Sequence, residues 1–216
     1  MFLLSKDLVF PPVHLANEDG MLAIGGDLSS ERLLLAYKSG IFPWFSDGEP
    51  IVWYSPNPRM VLYPEKLKVS KSMKQLIRKN KFQITFNQNF KEVITNCKII
   101  ARKNQPGTWI TNEMQEAYIK LHQKGIAKSV EVWKQNEEDK SKRELVGGLY
   151  GIDLGTIFCG ESMFSKVSNT SKLAFIYLTQ KLKSKNYKLI DCQVYNSHLA
   201  SLGAEEIERD QFLTYL

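Results

Sequence analysis

The sequence predicts an α+β protein with a mixed, mostly antiparallel sheet, and three observations predict this class. The 216 residues are 43% hydrophobic, which is enough to bury a sizeable core. Residues 129–133 and 144–152 alternate as strands around the charged loop 134–143, which indicates an exposed hairpin. A further strand, an apolar helix and a last strand follow the hairpin, and this order is typical of an α+β domain.

Residues 1–64 are predicted to form a small, turn-rich N-terminal domain, and residues 65–216 the main domain. Glycine and proline punctuate the first part in four motifs: FPP at 10–12, GG at 25–26, FPW at 42–44 and SPNPR at 55–59. One short helix is expected from Ser29 to Ser39, because a serine caps its start and Gly40 stops it.

The main domain is predicted to begin with three helices and one strand. A helix opening at Ser70 or Ser72 precedes the strand 82–86. An amphipathic helix then carries apolar residues on one face, namely Phe90, Val93, Ile94, Cys97 and Ile100. The third helix is expected to start at Asn112, with Gln115 completing a capping box.

After the hairpin, the strand 155–164 should lead through a Ser/Asn/Thr-rich turn into the apolar helix 173–182. The segment 188–194 is then expected to form a last, buried strand, because four of its seven residues are apolar or cysteine.

The composition argues against several classes of protein. No apolar run approaches the roughly 18 residues of a membrane span, and Lys6 and Asp7 interrupt the N-terminal apolar stretch, so we expect a cytoplasmic protein. Three cysteines without CxxC spacing and three histidines without ligand spacing argue against a disulfide framework and against a metal site. We therefore expect no metal.

Charge is distributed unevenly along the chain. The formal net charge is +6, but residues 1–58 carry a net charge of −4 and residues 59–103 a net charge of +10. A block that basic is typical of a phosphate-rich partner such as a nucleic acid, while a solvated lysine-rich face is the alternative. The acidic first part leaves room for a cationic second substrate.

The strand LIDCQV contains the first chemical candidates. Side chains alternate along a strand, so Leu189, Asp191 and Gln193 should share one face. An ionisable residue within an apolar strand is costly unless it is paired or used. Asp191 and Gln193 together offer acceptors and an amide donor that could orient an amine. The alternative is a buried aspartate that satisfies loop amides.

Glu161 is the second candidate, at the end of an apolar strand. Its neighbours Cys159, Met163 and Phe164 would solvate a carboxylate poorly, which could tune it for acid–base work or for binding a cation. A glutamate that caps a turn is the alternative. From spacing alone, these segments support acyl transfer and nothing more specific.

The loop 165–172 runs into a helix between Lys166 and Lys172, and exposed amides at a helix start suit a phosphate or a carboxylate. Simple N-capping is the alternative. The loop contains no glycine, in contrast to the glycine-containing pyrophosphate loop of acetyl-CoA-dependent N-acyltransferases, so a donor other than CoA is expected. Four residues, Trp109, Leu149, Met163 and Phe164, could line an apolar pocket or simply pack in the core.

Collinear motifs cover nearly the whole chain and resemble those of the leucyl/phenylalanyl-tRNA–protein transferase family. They are FPP at 10–12, LAIGGDLS at 22–29, LLLAYKSGIFPWF at 33–45, VWYSPNPRMVL at 52–62, SKSMK at 70–74, GTWIT at 107–111, AYIKLHQKG at 117–125, SVEVW at 129–133, ELVGGLYG at 144–151, GTIFCGESMFS at 155–165, LIDCQV at 189–194 and ASLGAEEI at 200–207.

The resemblance implies a fold and an activity. The implied fold is a small N-terminal α/β domain followed by a domain like that of the GCN5-related N-acyltransferases. The implied reaction moves Leu, Phe or Met from aminoacyl-tRNA onto the N-terminal Arg or Lys of a protein and so marks that protein for degradation in the N-degron pathway. No metal or cofactor is implied, and we expect a monomer that does not bind a membrane.

The resemblance also implies site residues. The catalytic candidates are Asp191 and Gln193, with Glu161 close by. The substrate-binding candidates are Trp109, Leu149, Met163, Phe164 and Cys159. The candidates for binding tRNA come from the basic block and from the loop 165–172 and not from the family, and they are Arg59, Lys71, Lys74, Arg78, Lys79, Lys166 and Lys172. Leu149 replaces a methionine of relatives, which could shift the preference among Leu, Phe and Met.

Two other functions remain open at this stage. One is an N-acyltransferase that uses another small acyl donor, and the loop without glycine argues against CoA as that donor. The other is a non-catalytic module that binds tRNA or an N-degron.

Overall fold

Two sheets organise the computed structural model, which describes residues 1–100, 108–136, 139 and 141–216. The strands are β1 (Phe2–Leu4), β2 (Met21–Gly25), β3 (Phe42–Pro43), β4 (Val52–Tyr54), β5 (Arg59–Leu62), β6 (Phe82–Phe86), β7 (Ala127–Gln135), β8 (Arg143–Asp153), β9 (Ile157–Ser165), β10 (Leu189–Gln193) and β11 (Glu205–Ile207). The helices are α1 (Ser30–Lys38), α2 (Lys71–Arg78), α3 (Phe90–Ile99), α4 (Asn112–Gln123), α5 (Thr170–Ser184), α6 (Ser197–Ala200) and α7 (Arg209–Leu213).

The larger sheet has the strand order β11-β5-β10-β9-β8-β7-β6. Strands β9 and β10 run parallel, and the other neighbouring pairs described in this sheet run antiparallel. The predicted mixed, mostly antiparallel sheet is therefore confirmed. Strand β5 lies within the segment 1–64, yet it pairs with β10 and β11, so the larger sheet already begins at Arg59.

The smaller sheet has the order β1-β2-β4-β3 and packs with α1. The predicted helix in this part is confirmed: the side chain of Ser29 accepts a hydrogen bond from the amide of Arg32, and Gly40 follows with φ of +74°. A left-handed residue is a common way to end a helix, and glycine adopts it at little cost. Helix α1 turns Leu33, Ala36 and Tyr37 into the core.

Helices cover both faces of the larger sheet. On one face lie α3, α4 and the smaller sheet, which share one apolar cluster. On the other face lie α2 and α5, which pack on the second cluster. Helix α5 approaches β8 so closely that a Cβ atom at Gly147 would lie 2.3 Å from Oγ1 of Thr170. Glycine at this position therefore allows the start of α5 to sit against the sheet.

Helix α4 differs from its prediction in one respect. The N-cap is Thr111, whose Oγ1 accepts a hydrogen bond from the amide of Met114 at 3.1 Å. The predicted capping box of Asn112 and Gln115 is wrong, because the helix is capped one residue earlier. The side chain of Gln115 instead donates to Thr95 at 2.7 Å. Residues 137, 138 and 140 of the predicted hairpin tip, and Gly107 of the GTWIT motif, lie outside the described residues.

Candidate active site

A cavity of about 540 Å³ opens where β8, β9 and β10 face the start of α5 and the residues after β3. Its apolar lining includes Trp44, Trp109, Phe158, Leu149, Met163, Phe175, Leu178 and Ile190. Glu161 and Gln193 supply polar groups to the same wall. The structure thus brings Trp109, Leu149 and Met163 together beside the two polar candidates, although they are far apart in sequence.

Two predicted substrate contacts do not lie on this cavity. Cys159 and Phe164 are both buried, at 1% and 2% exposure, and both belong to the apolar cluster under α3 and α4. The pairing of β8 with β9 shifts register between Tyr150 and Gly151, so simple alternation along β9 is interrupted. The structure therefore places Cys159 and Phe164 in the core and not on the cavity wall, and nothing in this geometry supports their contact with a substrate.

Asp191 lies beneath the cavity in a buried ion pair with Arg59. Nε and Nη2 of Arg59 donate to Oδ1 and Oδ2 of Asp191 at 2.8 and 2.7 Å. Nη1 donates to the carbonyl of Gly40 at 3.1 Å, and the rings of Phe42 and Phe212 lie 4.9 and 4.7 Å from the guanidinium carbon. A planar guanidinium suits this bidentate contact between two aromatic rings.

Arg59 is consequently not available to a tRNA. Its exposure is 1%, and its donors are directed at Asp191 and at a backbone carbonyl inside the protein. Its prediction as a tRNA contact is wrong, because the positive charge of this residue compensates a buried carboxylate. Burial without such a partner would be strongly unfavourable for either group.

The same aspartate sets the backbone of Gln193. The amide of Gln193 donates to Oδ1 of Asp191 at 2.9 Å, the register against β5 shifts between the two residues, and φ of Gln193 is +67°. A bulge of this kind re-aims a side chain. The predicted shared face of Leu189, Asp191 and Gln193 is therefore interrupted at its last member, and Gln193 turns towards the cavity.

Glu161 receives hydrogen bonds from two sides. Nε2 of Gln193 donates to its Oε1 at 3.0 Å, and the hydroxyl of Tyr118 donates to its Oε2 at 3.0 Å. The hydroxyls of Tyr118 and Tyr37 are hydrogen-bonded to each other. Burial raises the pKa of Glu161 to about 7, while the hydrogen bonds from the tyrosines and Gln193 oppose the rise. A carboxyl group with such a pKa can change its protonation near neutral pH.

Sequence reasoning missed several groups in this arrangement. Tyr37 and Tyr118 lie at apolar-face positions of α1 and α4, so the sequence pattern indicates core packing, yet their hydroxyls meet across 81 residues of chain. The pairing of Arg59 had one available signal: a basic residue opens the apolar strand RMVL, just as an acidic residue lies within the apolar strand LIDCQ. Two opposite charges in apolar strands favour a buried pair.

The basic candidates lie at two places. Four of them lie exposed along and just after α2, namely Lys71, Lys74, Arg78 and Lys79. Lys166 is exposed and Lys172 is half-buried at the start of α5, where Ser171 lines the cavity. Burial lowers the pKa of His198, another lining residue, and the charge of Lys172 adds to this effect. Positive charge therefore borders the cavity at the start of α5.

The described part of the chain offers no grouped set of metal-ligating side chains and no membrane-spanning helix. Within residues 1–100, 108–136, 139 and 141–216, no three His, Cys, Asp or Glu side chains are grouped to hold a metal ion. The three cysteines are buried, and none of them forms a disulfide bond. In those same ranges, no helix has both the length and the apolar character needed to cross a membrane.

The fold has a solved counterpart. The crystal structure of FemX matches with a TM-score of 0.54 at 10% sequence identity, over 83% of this chain and 66% of that chain. At this identity the likeness concerns the fold alone. The larger sheet with its flanking helices is therefore a fold that FemX shares.

Comparison of sequences identifies the family. The model of the leucyl/phenylalanyl-tRNA protein transferase family matches residues 61–216, and that of its N-terminal domain matches residues 26–57. A leucyl/phenylalanyl-tRNA–protein transferase of Flavobacterium johnsoniae is 64% identical over 216 residues, which is 100% of this chain and 99% of that protein. The protein of the same name from Flavobacterium psychrophilum is 58% identical with the same coverage. The chain belongs to the leucyl/phenylalanyl-tRNA–protein transferase family.

Proposed function

We propose that this protein transfers Leu or Phe, or Met, from aminoacyl-tRNA to the N-terminal Arg or Lys of an acceptor protein. The observation that carries this proposal is the apolar cavity whose wall holds Glu161 and Gln193 within hydrogen-bonding distance of each other. The reaction forms a peptide bond and gives the acceptor a new, destabilising N-terminal residue. Because its donor is an aminoacyl-tRNA, the protein acts in the cytoplasm.

The apolar cavity binds the side chain of the transferred amino acid. Trp109, Leu149 and Met163 offer aromatic, branched and flexible apolar surface to an uncharged side chain. Apolar contacts favour Leu, Phe and Met over polar residues, but they discriminate only modestly among similar apolar side chains. A small set of related amino acids therefore suits this cavity.

Gln193 holds the reacting ester. One N–H of its side-chain amide donates to Glu161, and the second N–H can donate to the carbonyl oxygen on which negative charge develops. Asp191 acts as a positioning residue: its carboxylate fixes the backbone of Gln193 and is itself fixed by Arg59. An aminoacyl ester is already activated, so positioning and charge stabilisation supply much of the acceleration.

The two basic surfaces bind the tRNA. The basic residues of α2 contact backbone phosphates, while Lys166 and Lys172 lie near the cavity and hold the 3′ end that carries the amino acid. Binding through phosphates releases counterions, so affinity should fall steeply as salt is added. Glu161, on the cavity wall, faces the amine of the acceptor.

The direct test is transfer of radiolabelled Leu from tRNA to a peptide that begins with Arg. We expect labelled peptide that begins with Leu-Arg, and no label on a matched peptide that begins with Glu. Binding of leucyl-tRNA without transfer would support a non-catalytic module instead. Transfer of another small acyl group at a higher rate than Leu would support the other N-acyltransferase function.

Charge reversal of α2 tests the proposed tRNA surface. We expect the double variant Lys74→Glu, Arg78→Glu to bind tRNA more weakly, and its affinity to depend less steeply on salt, by about one unit of logarithmic slope for each phosphate that it no longer binds. Filter binding at several salt concentrations measures both quantities. The exposed Lys38→Glu on α1 is the matched control. An equal effect of the control variant would contradict a specific surface on α2.

A further inference from the structure

Four side chains form a connected hydrogen-bond cluster beside the cavity. Tyr37 of α1 bonds to Tyr118 of α4, Tyr118 donates to Glu161 of β9, and Gln193 of β10 donates to the other oxygen of Glu161. Both tyrosines are almost fully buried, at 1% and 0% exposure. The cluster joins the N-terminal part of the chain to the catalytic sheet and ends on a carboxyl group that lines the cavity.

The two carboxylates near the cavity are bonded differently. Asp191 accepts two hydrogen bonds from Arg59 and one from the amide of Gln193, and its exposure is 0%. Protonation of Asp191 would disrupt a buried ion pair. Tyr118 and Gln193 each donate to one oxygen of Glu161, and Tyr37 adds a further stabilising contact, while an ionised carboxylate has about four acceptor positions. Glu161 therefore retains acceptor capacity towards an amine in the cavity.

We propose that Glu161 is the catalytic residue that accepts the proton of the acceptor amine, and that Tyr118 and Tyr37 are positioning residues that hold its carboxylate. This inference rests on the proposed transfer function. It assigns Glu161 a proton transfer instead of a purely electrostatic contact with a cation.

Glu161 carries one proton between the two substrates. The neutral amine nitrogen attacks the ester carbon, a C–N bond forms, and one N–H proton passes to Glu161. The C–O bond to the ribose then breaks, and the ribose oxygen receives that proton from Glu161. The products are the extended peptide and a tRNA with a free hydroxyl, and Glu161 returns to its carboxylate form.

The surroundings of Glu161 favour this cycle near neutral pH. The titratable and charged groups around the cluster are Tyr37, Arg59, Tyr118, Tyr150, Cys159 and Asp191. Burial raises the pKa values of Tyr37, Tyr118 and Cys159 well above their ordinary values, so these groups stay neutral and both phenols can donate hydrogen bonds. Burial also raises the pKa of Glu161 to about 7, and a base of this strength suits proton transfer at neutral pH.

The pH dependence follows from the direction of that shift. Below a pH of about 7, Glu161 is protonated and cannot accept a proton, so the transfer rate should fall as the pH falls through this value. Tyr118→Phe removes a hydrogen bond that stabilises the ionised form. The pKa of Glu161 should therefore rise further. The bend of the rate profile, which is the pH at which the transfer rate falls because Glu161 becomes protonated, should then move upward by about one pH unit. The free α-amine of the acceptor titrates at about pH 8 and gives a second bend, which no enzyme variant should alter.

The experiment compares transfer rates as a function of pH, using preformed leucyl-tRNA and a peptide that begins with Arg. Glu161→Gln should reduce the rate by about 10²–10⁴-fold and remove the bend of the carboxyl group. Tyr118→Phe and Tyr37→Phe should both move this bend upward. The matched control is Tyr215→Phe, which removes a hydroxyl from another tyrosine pair, 3.2 Å from Tyr63, and should leave the profile unchanged.

Two results would overturn the proton-acceptor role. One is a Glu161→Gln enzyme that keeps the wild-type rate and profile. The other is a uniform loss of rate in both tyrosine variants without movement of the bend, which indicates a merely structural role. Thermal melting identifies a variant that fails to fold. If one of the two tyrosine variants does not fold, the pH profile of the other one tests the proposal. A wild-type enzyme that transfers no Leu at any pH would instead contradict the proposed function itself.

Discussion

Replacement of Arg59 by Met is expected to destabilise the protein by about 3–5 kcal/mol, because it leaves the carboxylate of Asp191 buried without its partner. The guanidinium also bonds to the carbonyl of Gly40 and packs between Phe42 and Phe212, so its removal loosens the packing of the N-terminal part on the C-terminal end of the chain. Urea unfolding measures the change in the free energy of unfolding. Arg143→Met, at an exposed arginine, is the control.

A double variant separates folding from catalysis at this pair. Arg59→Met combined with Asp191→Leu removes both charges, and apolar replacement of a buried ion pair is often neutral for stability. We expect the double variant to be considerably more stable than Arg59→Met alone. Transfer should stay low, because the amide of Gln193 no longer has its acceptor on Asp191. A double variant with both wild-type stability and wild-type transfer would contradict a positioning role for Asp191.

The second large effect is expected at Gln193, whose φ of +67° is unfavourable for a residue with a side chain. Glycine adopts this conformation without the steric cost, so the free energy of unfolding of Gln193→Gly should lie within about 1 kcal/mol of the wild type. Its transfer rate should nevertheless fall by about 10²–10³-fold, because the variant lacks the amide that donates to Glu161 and that we propose to donate to the ester carbonyl. Chemical denaturation and the transfer assay measure the two quantities on the same preparation.

Gln193→Ala completes this comparison. Alanine lacks the amide and retains the steric cost at positive φ, so it should be less stable than the glycine variant and equally impaired in transfer. If the glycine variant transferred Leu at close to the wild-type rate, Gln193 would have no role in holding the reacting groups.

Most elements of the fold were predictable because their patterns are local. Alternation indicated β7 and β8, and the serine before α1 and the glycine after it marked both ends of that helix. The cap of α4 was missed by one residue, because Thr111 and Asn112 are both good capping residues and sequence alone does not decide between them. Strand β11 is too short to show a pattern.

The site was predictable in part, for a physical reason. Asp191, Gln193 and Glu161 were recognisable because polar groups in apolar strands require an explanation. The role of Arg59 had only an indirect signal, a charged residue in each of two apolar strands. The pairing itself depends on the register in which Asp191 of β10 lies opposite Val61 of β5, and these segments are far apart in the chain. Within a block of net charge +10, such an arginine resembles a surface residue. The bulge at Gln193 likewise arises from this pairing, and the alternation of apolar and polar residues in the sequence does not indicate it.

The most direct measurement is a crystal structure with leucyl-adenosine in which an amide replaces the ester, so that the ligand resists hydrolysis. We expect the leucyl side chain to contact Trp109, Leu149 and Met163, and the carbonyl oxygen to lie within hydrogen-bonding distance of Nε2 of Gln193. Glu161 should then face the carbonyl carbon from the side on which an amine attacks. A leucyl group bound outside the cavity, or a carbonyl oxygen turned away from Gln193, would contradict the assignment of this cavity as the site of transfer.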